Sequence, residues 1–252
     1  MNTRIFLIFL LPLLFAGCKK ENRNEPPKVV SFNISTIIGS NTHLKYYYNE
    51  QGLLSRVDGK DRDKSLTCDI TYDKDRVYVY YENRTAGEIW NITLEVDSTT
   101  GYIQKFDDGM YLATFIYDSA GFNDGKKRLV ASYYHDGKYK GDSLCYNMKY
   151  DAQGNLTSFT YRGEDRRYEY YADEEEGTSI STLYAEAVLG RFERIISYLP
   201  YTFGPPQKSL VKTKVRSEAF YTNYSYKKDE FGRIVTIYEN AAGTDYYYLG
   251  DE

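Results

Sequence analysis

The sequence has few of the residues on which most catalytic and metal sites depend. Among 252 residues there are two histidines, three cysteines and one tryptophan. Neither His43 nor His135 has a second histidine or a cysteine at the spacing of zinc ligands. The chain also lacks a Gly-x-Ser-x-Gly nucleophile elbow and a glycine-rich phosphate loop. We therefore predict no catalytic residues, no metal ligands and no cofactor.

The chain also has no excess of basic over acidic residues. The chain has 32 basic and 36 acidic residues, which gives a formal net charge of −4 at pH 7. Proteins that bind nucleic acid usually carry a basic stripe that neutralises phosphates. We therefore predict that nucleic acid is not a partner.

The N-terminal residues have the pattern of a bacterial export signal. Arg4 precedes an apolar run of about eleven residues, which is shorter than the ~20 that a spanning helix needs. The run ends in Ala16-Gly17-Cys18, which resembles the lipobox of bacterial lipoproteins. That resemblance implies cleavage before Cys18 and a diacylglyceryl group on its thiol.

These features predict the domain organisation and the location. Residues 1–17 are the signal peptide, residues 18–28 are the lipidated Cys18 and a tether, and residues 29–252 are one tyrosine-rich β domain. Lipid chains hold a protein at a membrane through their buried methylene groups. We expect an outer-membrane lipoprotein that contacts the membrane through the lipid on Cys18. The pattern is compatible with both the periplasmic face and the cell-surface face of that membrane.

Two cysteines remain after processing, Cys68 and Cys145. An exported protein can form a disulfide, and a free cysteine can also act as a small buried apolar residue. The pattern leaves both alternatives open and favours the free, buried one.

A short unit that begins with tyrosine is repeated along the mature chain. In each clear copy Tyr precedes a turn residue such as Asp or Asn, then a Gly, and an apolar residue follows. This order is typical of a hairpin, because Asp and Asn cap turns and Gly accepts positive φ. The clearest copies are residues 48–54, 117–122, 150–156 and 226–234, and degenerate copies are residues 72–77 and 96–103.

The repeated unit resembles the YD or RHS repeat. Residues 32–248 as a whole resemble an uncharacterised Bacteroides-type lipoprotein domain family that is described as having a porin-like β fold. The resemblance implies a mainly β protein, an antiparallel meander of hairpins that forms a large curved or barrel-like sheet. It implies no particular activity.

One segment departs from this pattern. Apolar residues between Ile180 and Leu199 recur at helical spacing, and Thr178 and Ser179 offer an N-cap. Pro200 follows. We therefore predict a short helical insertion near residues 180–199 that covers one face or end of the sheet.

A membrane-spanning porin is not favoured. Strands that cross a membrane need about 9–11 residues with an uncharged outward face. Charged residues interrupt the candidate strands, for example Lys45, Arg76, Glu82, Arg167 and Lys227.

Tyrosine clusters are the best candidates for ligand binding, because Tyr offers a large amphipathic surface at low entropic cost. The alternative is that they form cross-strand ladders that stiffen the sheet. The candidate binding residues are Tyr46, Tyr48, Tyr78, Tyr80, Tyr168, Tyr170, Tyr224 and Tyr226.

Three functions are compatible with this sequence. The first is a non-catalytic lipoprotein that binds a glycan or another envelope component. The second is a structural or protein-interaction scaffold in the envelope. The third, a glycosidase-type enzyme, would need two carboxylates about 5–10 Å apart, and acidic residues such as Asp107 and Asp108 are available.

Overall fold

A computed structural model describes residues 33–118, 127–135, 143–175, 199, 209–217, 220–240 and 242–248. The chain from Ser31 to Glu252 forms a compact unit. Its described residues build sixteen antiparallel strands in a single sheet that closes into a barrel.

The strands run in chain order and have the following bounds. They are β1 (Ile34–Gly39), β2 (Thr42–Tyr48), β3 (Leu54–Asp61), β4 (Lys64–Asp73), β5 (Arg76–Asn83), β6 (Glu88–Asp97), β7 (Tyr102–Asp107), β8 (Leu112–Tyr117), β9 (Leu129–Tyr134), β10 (Ser143–Tyr150), β11 (Leu156–Tyr161), β12 (Glu164–Glu175), β13 (Ser209–Ser217), β14 (Phe220–Lys228), β15 (Ile234–Glu239) and β16 (Ala242–Tyr248).

Each strand pairs with its neighbour in sequence, and β1 pairs with β16 to close the sheet. At this seam Ile37 lies opposite Tyr246 and Ile38 lies opposite Asp245. The sheet therefore has no free edge strand, and every strand has two hydrogen-bonded neighbours. The predicted antiparallel, barrel-like meander agrees with this topology.

The predicted fold class was wrong in one respect. The described residues form strands and contain no helix, so the mainly β fold with a helical insertion is corrected to a closed β-barrel that has no helix among the described residues. Of residues 180–199 only Leu199 is described; it has no helical conformation, and it is buried in the apolar core. Residues 180–198 lie outside the described part of the chain.

Side chains alternate between the two faces of the sheet, as β5 illustrates. Val77, Val79 and Tyr81 are at most 2% exposed, whereas Tyr78 and Tyr80 between them are exposed. Closure of the sheet into a barrel shields one whole face of it. The interior is therefore packed with apolar side chains, which removes their surface from water and stabilises the fold.

Tyrosine hydroxyls tie neighbouring strands together around this interior. Each donor lies on an even-numbered strand, and its acceptor is a backbone carbonyl on the strand before it. The bonds are Tyr48 to Ile34 (2.8 Å), Tyr72 to Leu54 (2.7 Å), Tyr117 to Ile103 (2.6 Å), Tyr150 to Leu129 (2.6 Å), Tyr170 to Leu156 (2.6 Å) and Tyr226 to Val211 (2.8 Å). Each of these rings thereby packs towards the interior while its hydroxyl group is hydrogen-bonded.

The repeated sequence unit folds as a repeated turn. In residues 49–53, 151–155 and 229–233 the side-chain oxygen of the first residue accepts the backbone N–H of the fifth, at 2.8–2.9 Å. The glycine N–H of each turn donates to the carbonyl of the first residue. Residues 119–126, which include part of another copy, lie outside the described residues.

The turn glycine at position 154 is required by both conformation and space. Its φ is +90°, which L-amino acids with side chains rarely adopt. A Cβ there would also collide with the guanidinium of Arg128, which is 2% exposed. The Nε of Arg128 donates to the Gly154 carbonyl at 3.4 Å, so the turn and the buried arginine fit one another.

Cys68 and Cys145 are both free and fully buried, so the favoured alternative agrees with the structure. Burial raises the pKa of the Cys145 thiol to about 12 and raises the pKa of the Cys68 thiol well above its ordinary value. Both are therefore protonated and shielded in the folded barrel.

Removing a buried tyrosine hydroxyl should destabilise the barrel. We expect Tyr150→Phe and Tyr170→Phe each to lower the free energy of unfolding by about 1 kcal/mol, because each leaves a strand carbonyl without its donor. Urea unfolding followed by circular dichroism measures the change. Tyr221→Phe is the control, since Tyr221 is 58% exposed; an equal loss in the control would contradict the prediction.

The thiols should react only when the barrel unfolds. In a Cys18→Ser variant, we expect Ellman's reagent at mildly alkaline pH to leave native Cys68 and Cys145 unmodified, because the raised pKa and burial suppress the thiolate. Both thiols should react in denaturant. Rapid labelling of the native protein would show that the interior opens readily.

Candidate functional site

The structure divides the eight candidate tyrosines between the two faces of the barrel. Six lie in or against the interior, namely Tyr46, Tyr48, Tyr168, Tyr170, Tyr224 and Tyr226. Tyr168, for example, is 5% exposed and stacks on Phe159 with 6.0 Å between the ring centroids. Tyr78 and Tyr80 lie on the outer face and are 39% and 38% exposed.

The outer face of β2 to β6 carries a row of side chains in register. Tyr47 lies opposite Arg56, and Arg56 lies opposite Asp69. Asp69 in turn lies opposite Tyr80. Tyr78, on the same face of β5, lies beside this row between threonines on β4 and β6. We call Tyr47, Tyr78 and Tyr80, together with the polar groups between them, the tyrosine face.

Arg56 is held in place at the centre of the tyrosine face. Its Nε donates to Asp58 at 2.6 Å and its Nη1 donates to Asp69 at 3.1 Å. The hydrogen bond from Arg56 holds the pKa of Asp58 below its usual value, although partial burial opposes the shift. The guanidinium therefore has a defined orientation, and both carboxylates can accept further hydrogen bonds.

An open groove of about 460 Å³ adjoins the tyrosine face. It lies across β2, β3 and β4 and reaches the β5–β6 turn. Its lining residues are His43, Arg56, Asp58, Gly59, Lys60, Ser65, Leu66 and Arg84. Arg56 belongs to both features, so the groove continues directly from the row of tyrosines.

The β5–β6 turn is fixed to β4 at the end of the groove. The backbone N–H of Arg84 donates to the Ser65 carbonyl at 2.8 Å. Its guanidinium donates to the hydroxyl of Thr67 and lies 3.6 Å from Glu82. The groove therefore has a wall whose position is set by β4.

Gly59 is among the lining residues, and in the strand register it lies opposite the buried Leu44 and Leu66. Its φ is +142°, and a Cβ at this position would collide with the backbone carbonyl of His43 on β2. No other residue fits without moving the strands apart. A glycine within a strand often marks a place where another group approaches the backbone closely, and here that group is the backbone of β2.

Sequence reasoning did not find this groove. Arg56, Lys60 and Arg84 come from β3 and the β5–β6 turn, and no local motif joins them. Tyr47 was also not among the predicted binding residues, although it stands between Tyr46 and Tyr48. Strand alternation was the available signal, because the middle residue of a triplet faces away from its neighbours.

The acidic residues considered for catalysis have a structural role. Asp107 accepts the backbone N–H of Gly109 at 2.8 Å, and Asp108 accepts those of Met110 and Tyr111 at 3.0 Å and 2.8 Å. Both carboxylates cap the β7–β8 turn. In the described ranges no group of three or more His, Cys, Asp or Glu side chains is arranged to hold a metal ion. His43 lies in the groove, and His135 is exposed just after β9.

The outer face of β5 to β7 carries a row of charged side chains next to Tyr78. Glu95 lies 3.7 Å from Arg76 and 2.7 Å from Lys105, which stand on the strands at either side. A barrel that spans a membrane instead carries an apolar band on its outer face. This part of the outer face therefore suits water. Among the described residues, no helix has the length and apolar character needed to cross a membrane.

The described strands thus define an antiparallel β-barrel of the porin-like class, with a packed apolar interior. A solved structure of a porin-like protein from Bacteroides uniformis ATCC 8492 is similar to this chain, with a TM-score of 0.58 and 16% sequence identity. The similarity covers 87% of this chain and 99% of that chain. It confirms the predicted Bacteroides-type porin-like β fold.

No protein-family model matches the chain. No curated protein is significantly similar to it. The resemblance to YD repeats and to a lipoprotein family therefore remains an interpretation of the sequence.

Proposed function

We propose that this protein is a lipid-anchored envelope protein that binds a glycan, without catalysis, on the tyrosine face. The observation that carries the proposal is the exposure of Tyr47, Tyr78 and Tyr80 beside a fixed arginine and two carboxylates. This combination differs from the rest of the tyrosine-rich sheet, where many rings pack inward.

The chemistry of this face fits a sugar chain. Exposed tyrosine rings offer apolar surfaces that sugar rings can cover. Asp58, Asp69 and Arg56 supply hydrogen-bond acceptors and donors in a fixed arrangement. A site with a few fixed polar groups among aromatic rings is typical of ligand recognition.

The anchor and the barrel have complementary roles in this proposal. The outward ionic residues of β5 to β7 favour water, so the barrel itself does not need the membrane. A lipid on Cys18 would then hold the barrel at the outer membrane, and the tether would keep the tyrosine face accessible.

A protein-interaction scaffold is the second candidate. Phe220 and Tyr221 are adjacent at the start of β14 and are 71% and 58% exposed. Exposed aromatic residues are enriched at protein interfaces. This alternative predicts a protein partner that contacts β14 and not the tyrosine face.

A thermal-shift screen against neutral and acidic oligosaccharides tests the proposed function. A glycan at 100 times its Kd should stabilise the protein by ~2.7 kcal/mol, a clear rise in Tm. Tyr78→Ala and Tyr80→Ala should each abolish the shift, because they remove the rings that the sugar covers. Tyr221→Ala is the control and should preserve it. A shift that persists in both tyrosine-face variants, or no shift with any glycan, would contradict the proposal.

Lipid attachment is tested separately. We expect cells expressing the full chain to incorporate radioactive palmitate into it, and the chain to fractionate with the outer membrane. Cys18→Ser should abolish both, because the thiol is the predicted attachment point. Cys68→Ser is the matched control, since that thiol is buried. Palmitate incorporation that survives in Cys18→Ser would contradict the predicted attachment of the lipid at Cys18.

A further inference from the structure

We infer that the groove beside the tyrosine face binds an anionic group, a carboxylate or a sulfate, carried by the glycan. This inference rests on the proposed function and specifies the class of glycan. It follows from the position of the groove, the charges that line it and the hydrogen-bond donors beside them.

The position of the groove allows one chain of sugars to occupy both features. Arg56 lies between Tyr47 and Asp69 on the tyrosine face, and it is also a wall of the groove. A glycan that covers the tyrosine rings can therefore extend into the groove without leaving the surface. The volume of about 460 Å³ is within the range of sites for small ligands.

The charges of the lining favour an anion. Three cationic side chains, Arg56, Lys60 and Arg84, line the groove against one carboxylate, that of Asp58. The chain as a whole has a net charge of −4, so the groove differs in sign from the average surface. A concave site of one charge concentrates ligands of the opposite charge.

The three cations have different roles. Arg56 is already paired with Asp58 and Asp69, so it orients the site more than it attracts an anion. Arg84 donates to the hydroxyl of Thr67 and is 3.6 Å from Glu82, so it is partly engaged and has further N–H donors for a ligand. Lys60 is exposed on the outer face, where His43 and Ser65 are its cross-strand neighbours, and no described carboxylate forms an ion pair with it. Lys60 is therefore the principal cation for a ligand.

The groove also offers uncharged hydrogen-bond donors. The hydroxyl of Ser65 and the ring of His43 lie at the sides of the same groove and can donate hydrogen bonds. An anionic group in the groove would thus meet donors from β2, β3, β4 and the β5–β6 turn.

The test compares matched acidic and neutral glycans on the full chain. The two pairs are oligogalacturonate with its methyl ester, and dextran sulfate with dextran. We expect the acidic member of at least one pair to bind about tenfold more tightly, because one hydrogen bond to a charged group contributes about that factor. Microscale thermophoresis gives the affinities, and raising the salt concentration should reduce the difference.

Two charge reversals locate the effect. Lys60→Glu should remove the preference for the acidic member, while Lys149→Glu should retain it. The Lys149→Glu substitution changes the net charge by the same amount as Lys60→Glu. Lys149 is exposed on the outer face of β10. Circular dichroism on both variants checks that the barrel is intact, which is expected because both side chains are exposed.

Each result has a definite meaning. A preference that Lys60→Glu removes and Lys149→Glu keeps supports the inference. Equal binding of acidic and neutral members, with loss of both in Tyr80→Ala, overturns the inference and leaves the proposed function standing. A preference that both reversals reduce equally overturns it as a general charge effect. Binding of neither member, or Lys60-dependent binding to phosphatidylglycerol vesicles in place of glycans, also overturns it.

Discussion

Burial of one face of a closed sheet is the constraint on which the rest of this protein depends. Sixteen strands pair in sequence, and β1 meets β16, so each backbone ladder is completed by another strand. The inward side chains then fill the barrel interior with apolar atoms. The resulting barrel has a porin-like fold with a packed apolar interior.

Tyrosine serves this barrel in two ways, and the face of the strand decides which. An inward tyrosine packs its ring in the interior and gives its hydroxyl to a backbone carbonyl, as Tyr150 and Tyr170 do. An outward tyrosine such as Tyr80 keeps its ring exposed. Many of the tyrosines are therefore structural, and the exposed ones on β2 and β5 are those that lie together on the tyrosine face.

In the candidate site, strand register brings together side chains that are distant in the sequence. Arg56 meets Asp69 because β3 and β4 align those residues, and Tyr80 follows because β5 continues the register. Gly59 permits β2 and β3 to approach where a side chain would separate them. A shift of one residue in any of these pairings would turn the tyrosines inward and remove the row.

The sequence by itself determined the local structure of this protein. Alternating apolar residues and the repeated Tyr-Asp-x-x-Gly unit specify strands and turns, because side-chain capping and positive φ act within a few residues. The helical pattern near residues 180–199 was misleading for the fold class, since the described residues contain strands alone. Closure of the sheet, the face on which each tyrosine lies and the groove of Arg56, Lys60 and Arg84 were decided by the tertiary structure. These features depend on contacts between residues distant in sequence, and a local pattern does not encode which strands meet or in what register.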